Sequence, residues 1–334
     1  MPSPLLSAEL FNGHLAAVAI SALNELGLLD ELDRAGTLHL PTWVEQRQLH
    51  AMTVDSLMEV LSLYDIVTRS EDGHARPGKH FADILRTKGY FTWLTSGYGR
   101  LFQKLSSTVP LAGRGAGFID RDGAAIALGG RDYGRQFVDE QFAQVLRTKD
   151  FRVVADLGCG SAERLIGMVR HGAAEGIGID MNAGAIELAG KAVKGADLEQ
   201  RIGLVLGDLR TLEPSPRFAQ VDLLTSFFNG HDLWPREACL AVLQRLRQVF
   251  PHVTRFLLCD TYRAEPFTSC AGVPIFTLGF HVTHAVMGQY IPTREEWLSL
   301  LEEAGWRCNG VHDIGIPSSA IFDLAPLHPQ GRHD

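Results

Sequence analysis

The stretch Val153-Val154-Ala155-Asp156-Leu157-Gly158-Cys159-Gly160-Ser161-Ala162-Glu163 decides how the chain is read. An apolar run reaches an acid, passes two glycines and gives way to an apolar-periodic segment from Leu165. That order spells strand, tight loop and helix. Gly158 and Gly160 remove Cβ atoms where a ligand must lie close to the backbone. The helix start beyond them offers unpaired N–H groups. A dinucleotide fingerprint needs a third glycine at position 163; Glu163 stands there, so that fingerprint is incomplete.

Two further apolar runs also end in acids. Gly176-Ile177-Gly178-Ile179-Asp180 puts a carboxylate at a second strand end. It suits a ribose diol, because a carboxylate accepts two hydroxyl hydrogen bonds. Leu204-Val205-Leu206-Gly207-Asp208-Leu209 ends a third strand in Gly-Asp. The D-x-G-x-G pattern of Asp156, Gly158 and Gly160, with Ala162 as a third small residue, resembles motif I of class I S-adenosylmethionine (SAM) methyltransferases. The resemblance implies SAM as cofactor, with the glycine loop under its methionine part. It implies Asp180 at the ribose and Asp208 at the adenine amino group, with Leu209 and Thr225 also among the cofactor-binding residues.

Composition sets the outer limits. The chain of 334 residues is long enough for one large or two ordinary domains, and 46% apolar residues supply an ample core. A net charge of −8 without a long basic run does not suggest a nucleic-acid partner. Cys159, Cys239, Cys259, Cys270 and Cys308 are odd in number and lack metal-finger spacing, which favours a reduced, cytoplasmic protein. Leu15 to Leu23 is apolar, but no basic segment precedes it and Glu25 soon follows. A soluble amphipathic helix is expected there, neither signal peptide nor membrane span.

Residues 1–105 read as mostly helical. Leu15, Val18, Ala19, Ala22, Leu23 and Leu26 recur at helical spacing before a stop at Gly27. A helix from about Thr53 to Tyr64 precedes a hairpin at Ile66-Val67-Thr68 and Glu71-Asp72-Gly73-His74. This is a winged-helix order, but the candidate recognition helix carries Asp55 and Glu59 and no Lys or Arg, against DNA contact. The order resembles the N-terminal dimerisation domain of small-molecule O-methyltransferases, which implies a homodimer.

Residues 106–149 read as connecting helices lining a pocket, with one helix over Arg135–Arg147. The aromatics Tyr90, Phe91, Trp93, Tyr98 and Phe102 serve either as helix packing or as a wall for substrate. Among Arg114, Arg121 and Arg131, one can clamp a carboxylate bidentately. From residue 150 to 334 the pattern alternates. Strands are expected at 153–156, 176–179, 203–206, 221–226, 255–260 and near 320, and helices at 161–170, 182–194, 235–249 and 293–304. That is a doubly wound α/β sheet, with ligands at the carboxyl ends of its strands.

The chemistry is expected after the fourth strand, where Asn229-Gly230-His231-Asp232-Leu233-Trp234 precedes a helix opened by Pro235. This resembles the His-Asp-Trp segment of the O-methyltransferases, with Leu233 inserted, and implies His231 as general base. The plain alternative has Asp232 capping the helix and His231 on the surface. His281 and His284 lie three apart and share a helix face. Imidazoles with a nearby carboxylate and open positions can hold a divalent or ferric ion.

The combination resembles the metal-dependent α-keto-acid β-carbon methyltransferases of peptide-antibiotic biosynthesis. It implies an iron or zinc ion on His231 and His281, with His281 against His284 left open. It implies Asp232 as a candidate base and Trp93 and Val286 lining the pocket of a 2-oxo acid, phenylpyruvate-like, indolepyruvate-like or aliphatic; His284 is a second candidate base, and Arg121 is the arginine assigned to that pocket. The implied reaction is methyl transfer from SAM to the β-carbon. The alternative is a metal-free O-methyltransferase with His231 as base. Intact Asp156, Asp180 and Asp208 argue against a non-enzymatic SAM-fold regulator.

Overall fold

A computed structural model of the chain describes residues 6–110, 120–266 and 273–327. The N-terminal part holds α1 (Leu6–Glu25), α2 (Leu28–Ala35), β1 (Leu38–His39), α3 (Leu40–Gln46), α4 (Ala51–Leu63), β2 (Val67–Arg69) and β3 (His74–Pro77). Gly27 at φ +82° breaks α1 from α2. Gly73, also at φ +82°, turns the chain between β2 and β3, which pair antiparallel. Leu23, Leu28, Leu32, Met58 and Leu61 form the core of this part. By length and composition α1 could cross a membrane. One side of it packs on α4 and on α5 (Phe81–Phe91), while Leu6, Leu10, Phe11 and Leu15 stay exposed.

A π-helical turn over Thr92–Gly97 continues α5 and carries Trp93; the short helices α6 (Gly99–Gln103) and α7 (Leu105–Thr108) follow. Then come α8 (Gly123–Phe137) and α9 (Asp139–Leu146). The expected single helix over Arg135–Arg147 is thus two, broken at Val138. Gly129, Gly130 and Gly134 lower helix propensity, so the connecting helices expected over 106–149 have no legible bounds here. Tertiary packing overrides that low propensity. A Cβ on Gly129 would stand 2.7 Å from the Gly89 carbonyl oxygen and 2.8 Å from the Trp93 nitrogen, so only glycine lets α8 lie this close. Asp122 caps α8 by accepting from the N–H groups of Ala124 and Ala125.

The C-terminal part builds one sheet from β4 (Val153–Leu157), β5 (Glu175–Asp180), β6 (Ile202–Leu206), β7 (Leu223–Phe227), β8 (Arg255–Thr261), β9 (Trp306–Asp313) and β10 (Ser319–Pro326). The spatial order is β6-β5-β4-β7-β8-β10-β9. The first five run parallel and β10 is antiparallel to both β8 and β9. β4, β7 and β8 are buried throughout, as fits central strands covered on both faces. Val154 faces α10 (Glu163–His171) and α11 (Ala183–Gly195), through Leu165, Val169 and Ala189. Val153, Ala155 and Leu157 face α12 (Arg236–Val249) and α14 (Arg294–Glu303), through Val242, Leu246, Trp297 and Leu301. Between β8 and α14 lies α13 (Thr277–Met287). The chain leaves β4 toward β5 on one side and returns to β7 on the other. This switch point opens a crevice beyond the carboxyl ends of β4 and β7.

Candidate active site

The glycine loop is tied to the end of β5. Gly158 and Cys159 donate their N–H groups to the Ile179 carbonyl at 2.7 and 3.0 Å. Gly160 donates to Asp180 Oδ2 at 3.0 Å, and Asn182 donates to Asp180 Oδ1 at 2.8 Å. Gly158 (φ +72°), Gly160 (φ +52°) and Ala162 (φ +60°) all adopt left-handed backbone, which the first two tolerate freely. A Cβ at Gly158 would lie 2.3 Å from Asn229 Nδ2. Beneath the loop, Thr225 Oγ1 donates to Asp156 Oδ1 at 2.7 Å. Burial raises the Asp156 carboxyl to about 6, against the opposing effect of the Thr225 bond and the Arg164 charge.

Asp156, Gly158, Gly160, Asp180, His231, Asp232, His284, Trp93 and Arg121 all line one cleft. Asp208 and Leu209 line an adjoining hollow that shares Gly158, Asp180 and Asn229 with the cleft. Thr225 is fully buried behind the cleft, where it bonds to Asp156. Val286 packs against the apolar core and is not among the cleft-lining residues. Arg131 reaches the cleft but is bonded to Asp132. Arg114 and Cys270 lie outside the described residues.

His231 is buried in a short turn after β7. Its Nδ1 lies 2.6 Å from Asp260 Oδ1, and its backbone N–H donates to Asp260 Oδ2 at 3.0 Å. With Nδ1–H given to the carboxylate, Nε2 turns to Asp232, whose Oδ1 is 3.6 Å away. Burial pulls the His231 imidazolium down, but Asp260 and then Asp232 outweigh it and leave it above its ordinary value. Asp232 also accepts from Gln289 Nε2 at 2.8 Å and sits 3.7 Å from Arg121. The surface alternative for His231 is therefore excluded.

The structure brings His284, not His281, against His231. Phe280, His284 and Met287 form the buried stripe of α13. The His231 and His284 rings lie 4.8 Å apart, edge to face. His284 Nδ1 is 2.6 Å from the Phe280 carbonyl oxygen. A carbonyl only accepts, so Nδ1 carries the proton and Nε2 keeps its lone pair. Burial, then the neighbouring His231, hold the His284 imidazolium well below its ordinary value. His281 lies round the helix, half-buried, where it accepts from the Ala264 N–H at 3.4 Å. Single ligand atoms of His231, Asp232 and His284 all fall within 4.8 Å of one another.

Asp260, Tyr133, Phe276 and Phe280 are site residues that sequence reading missed. A signal for Asp260 existed: Leu257-Leu258-Cys259-Asp260 is another apolar run ending in an acid. The aromatics carried none, since only folding brings α8 and α13 to one cleft.

A model of the methyltransferase domain matches residues 154–251, the segment holding the glycine loop and His231. The chain is 38% identical to methyltransferase ungE' of Aspergillus campestris, over 97% of each chain. It belongs to the SAM-dependent methyltransferases. This methyltransferase is also 27% identical to the indolepyruvate C-methyltransferase of Streptomyces griseus, over 97% of this chain and 96% of that one. Its fold matches the mitomycin 7-O-methyltransferase MmcR with a TM-score of 0.65 at 18% identity, over 96% of each chain. SAM is thus its cofactor.

Proposed function

We propose that this methyltransferase transfers the SAM methyl group to the β-carbon of a 2-oxo acid, with a divalent or ferric ion held by His231 and His284. The observation that carries the reading is the pair of imidazoles, each with Nδ1 engaged behind it, beside Asp232 in the SAM cleft. Two imidazoles in their neutral forms, with Nδ1 engaged behind each, would hold such an ion and leave open positions, with Asp232 beside the ion rather than on it. A cation there supplies electrophilic polarisation of a chelated keto group. The ligand pair expected from sequence, His231 with His281, is replaced in this proposal by His231 with His284.

The remaining steps belong to the chain's own groups. Arg121 stands beside Asp232 and can orient the substrate carboxylate. Asp232 takes the β-proton as general base. The β-carbon bonds to the methyl carbon as the methyl–sulfur bond breaks, its electron pair staying on sulfur. The cleft holds the two reactants together, which removes much of the entropic barrier. The N-terminal part is proposed to form a homodimer across the exposed apolar side of α1.

The test is elemental analysis of purified protein, followed by turnover of 2-oxo acids with product NMR. Bound metal with a new β-methyl group supports the reading; full activity in metal-free protein, or methyl on oxygen alone, overturns it. One observation favours a second reading. The buried His231–Asp260 pair also suits a general base for a phenol, as in a metal-free O-methyltransferase.

A further inference from the structure

The geometry points to a flat aromatic side chain on the acceptor, with Trp93, Phe276 and Phe280 as the residues that select it. This rests on the 2-oxo-acid reading above. Beyond the imidazoles, the cleft is walled by Trp93, Tyr98, Tyr133, Phe228, Phe276 and Phe280. These rings form one continuous surface. Trp93 lies 5.0 Å from Phe276 and 6.3 Å from Phe280, and Phe276 lies 5.1 Å from Phe280. Phe280 in turn lies 4.0 Å from the His284 ring and 5.0 Å from the His231 ring. A substrate with its keto acid at His231 and His284 therefore has its next atoms against ring faces and edges.

The wall is rigid. Gly89 and Gly129 meet without Cβ atoms and clamp the turn that carries Trp93. Phe228 (φ +55°) and Phe276 (φ +81°) hold a backbone region that bulky residues avoid, and both line the cleft. Such conformations persist where surrounding structure imposes them, and they gather at ligand sites. An aromatic cleft wall favours a flat ring through offset and edge contacts. A flexible aliphatic chain fills it less well. A side-chain carboxylate or guanidinium would lose its hydration against these ring faces.

The experiment uses metal-loaded full-length protein with SAM. Phenylpyruvate, indole-3-pyruvate, 4-methyl-2-oxopentanoate and 2-oxoglutarate are compared by kcat/KM, with the methylated position read by NMR. The aromatic acids are expected to exceed the other two by about ten-fold or more. Trp93→Leu is expected to lower that ratio about ten-fold, chiefly through KM, with SAM affinity intact by calorimetry. If Trp93→Leu fails to fold, the wild-type ranking decides by itself. Preference for the aliphatic or dicarboxylic acid, still methylated at the β-carbon, overturns this inference alone. Transfer only to oxygen overturns it together with the proposed function.

Discussion

His231 Nδ1 and Asp260 Oδ1 stand 2.6 Å apart at the ends of adjacent strands, and both residues are buried. The carboxylate fixes the ring and turns Nε2 to the cleft, whether that nitrogen holds a metal or takes a proton. Asp260→Asn keeps a single acceptor oxygen, so the His231 N–H and the Thr261 N–H, which use different oxygens of the carboxylate, cannot both retain it, and the charge is lost. Methyl transfer should fall about 10–100-fold, with SAM affinity unchanged by calorimetry. Unchanged turnover would show that the pair does not orient the ring.

The two histidines of α13 should separate cleanly. His284→Ala should lose bound metal and β-methylation together while still binding SAM, because His284 offers a ligand atom within 4.8 Å of those of His231 and Asp232. His281→Ala should keep both, because that ring lies outside the cluster. Elemental analysis of the two variants, purified in parallel, checks this.

The glycine loop offers a graded comparison. Left-handed backbone costs about 1–2 kcal/mol for a residue with a Cβ. Gly160→Ala should show little more than that, since its Cβ would meet nothing within 4 Å. Gly158→Ala must in addition displace Asn229, only 2.3 Å from the new Cβ. Both the melting temperature and SAM affinity should fall further in Gly158→Ala than in Gly160→Ala. Equal losses would mean that Asn229 moves aside without cost.

Asp156 links stability to pH. Burial raises its carboxyl from 3.8 to about 6, so the folded chain binds the proton more tightly than the unfolded chain. Its contribution is full below the lower value and is lost as pH rises through about 6. The loss at neutral pH is on the order of 3 kcal/mol. Asp156→Asn keeps an acceptor for Thr225 and should flatten this part of the curve, so the variant gains on wild type between pH 4 and pH 7 or so. Urea denaturation of both proteins across that range measures the difference.

The proposed dimer is open to a direct test. Leu10 and Phe11 are 67% and 70% exposed on α1, and large exposed apolar patches mark interaction sites. Phe11→Asp should shift light scattering at micromolar concentration from dimer toward monomer. A monomeric wild-type protein would remove the proposal.

The parallel core, the glycine loop and the acids within β4, at the end of β5 and just after β6 are legible in the sequence, because each is a local pattern. An apolar run, a turn residue and a strand-end carboxylate sit side by side in the chain, and period-two or helical spacing shows which face is buried. The sequence also placed His231 and Asp232 at a strand end. Tertiary structure alone decided which partner His231 meets. His281 and His284 share a helix, and only the docking of α13 turns Phe280, His284 and Met287 inward and leaves His281 outside the cluster. It likewise made a helix of the glycine-rich stretch after Asp122. Local propensity argues against that helix, and close approach to Gly89 and Trp93 requires it. The aromatic wall has the same origin: its rings come from α5's extension, α8, the end of β7 and α13. Contacts between such distant segments depend on how amphipathic faces pack, which no window of sequence contains.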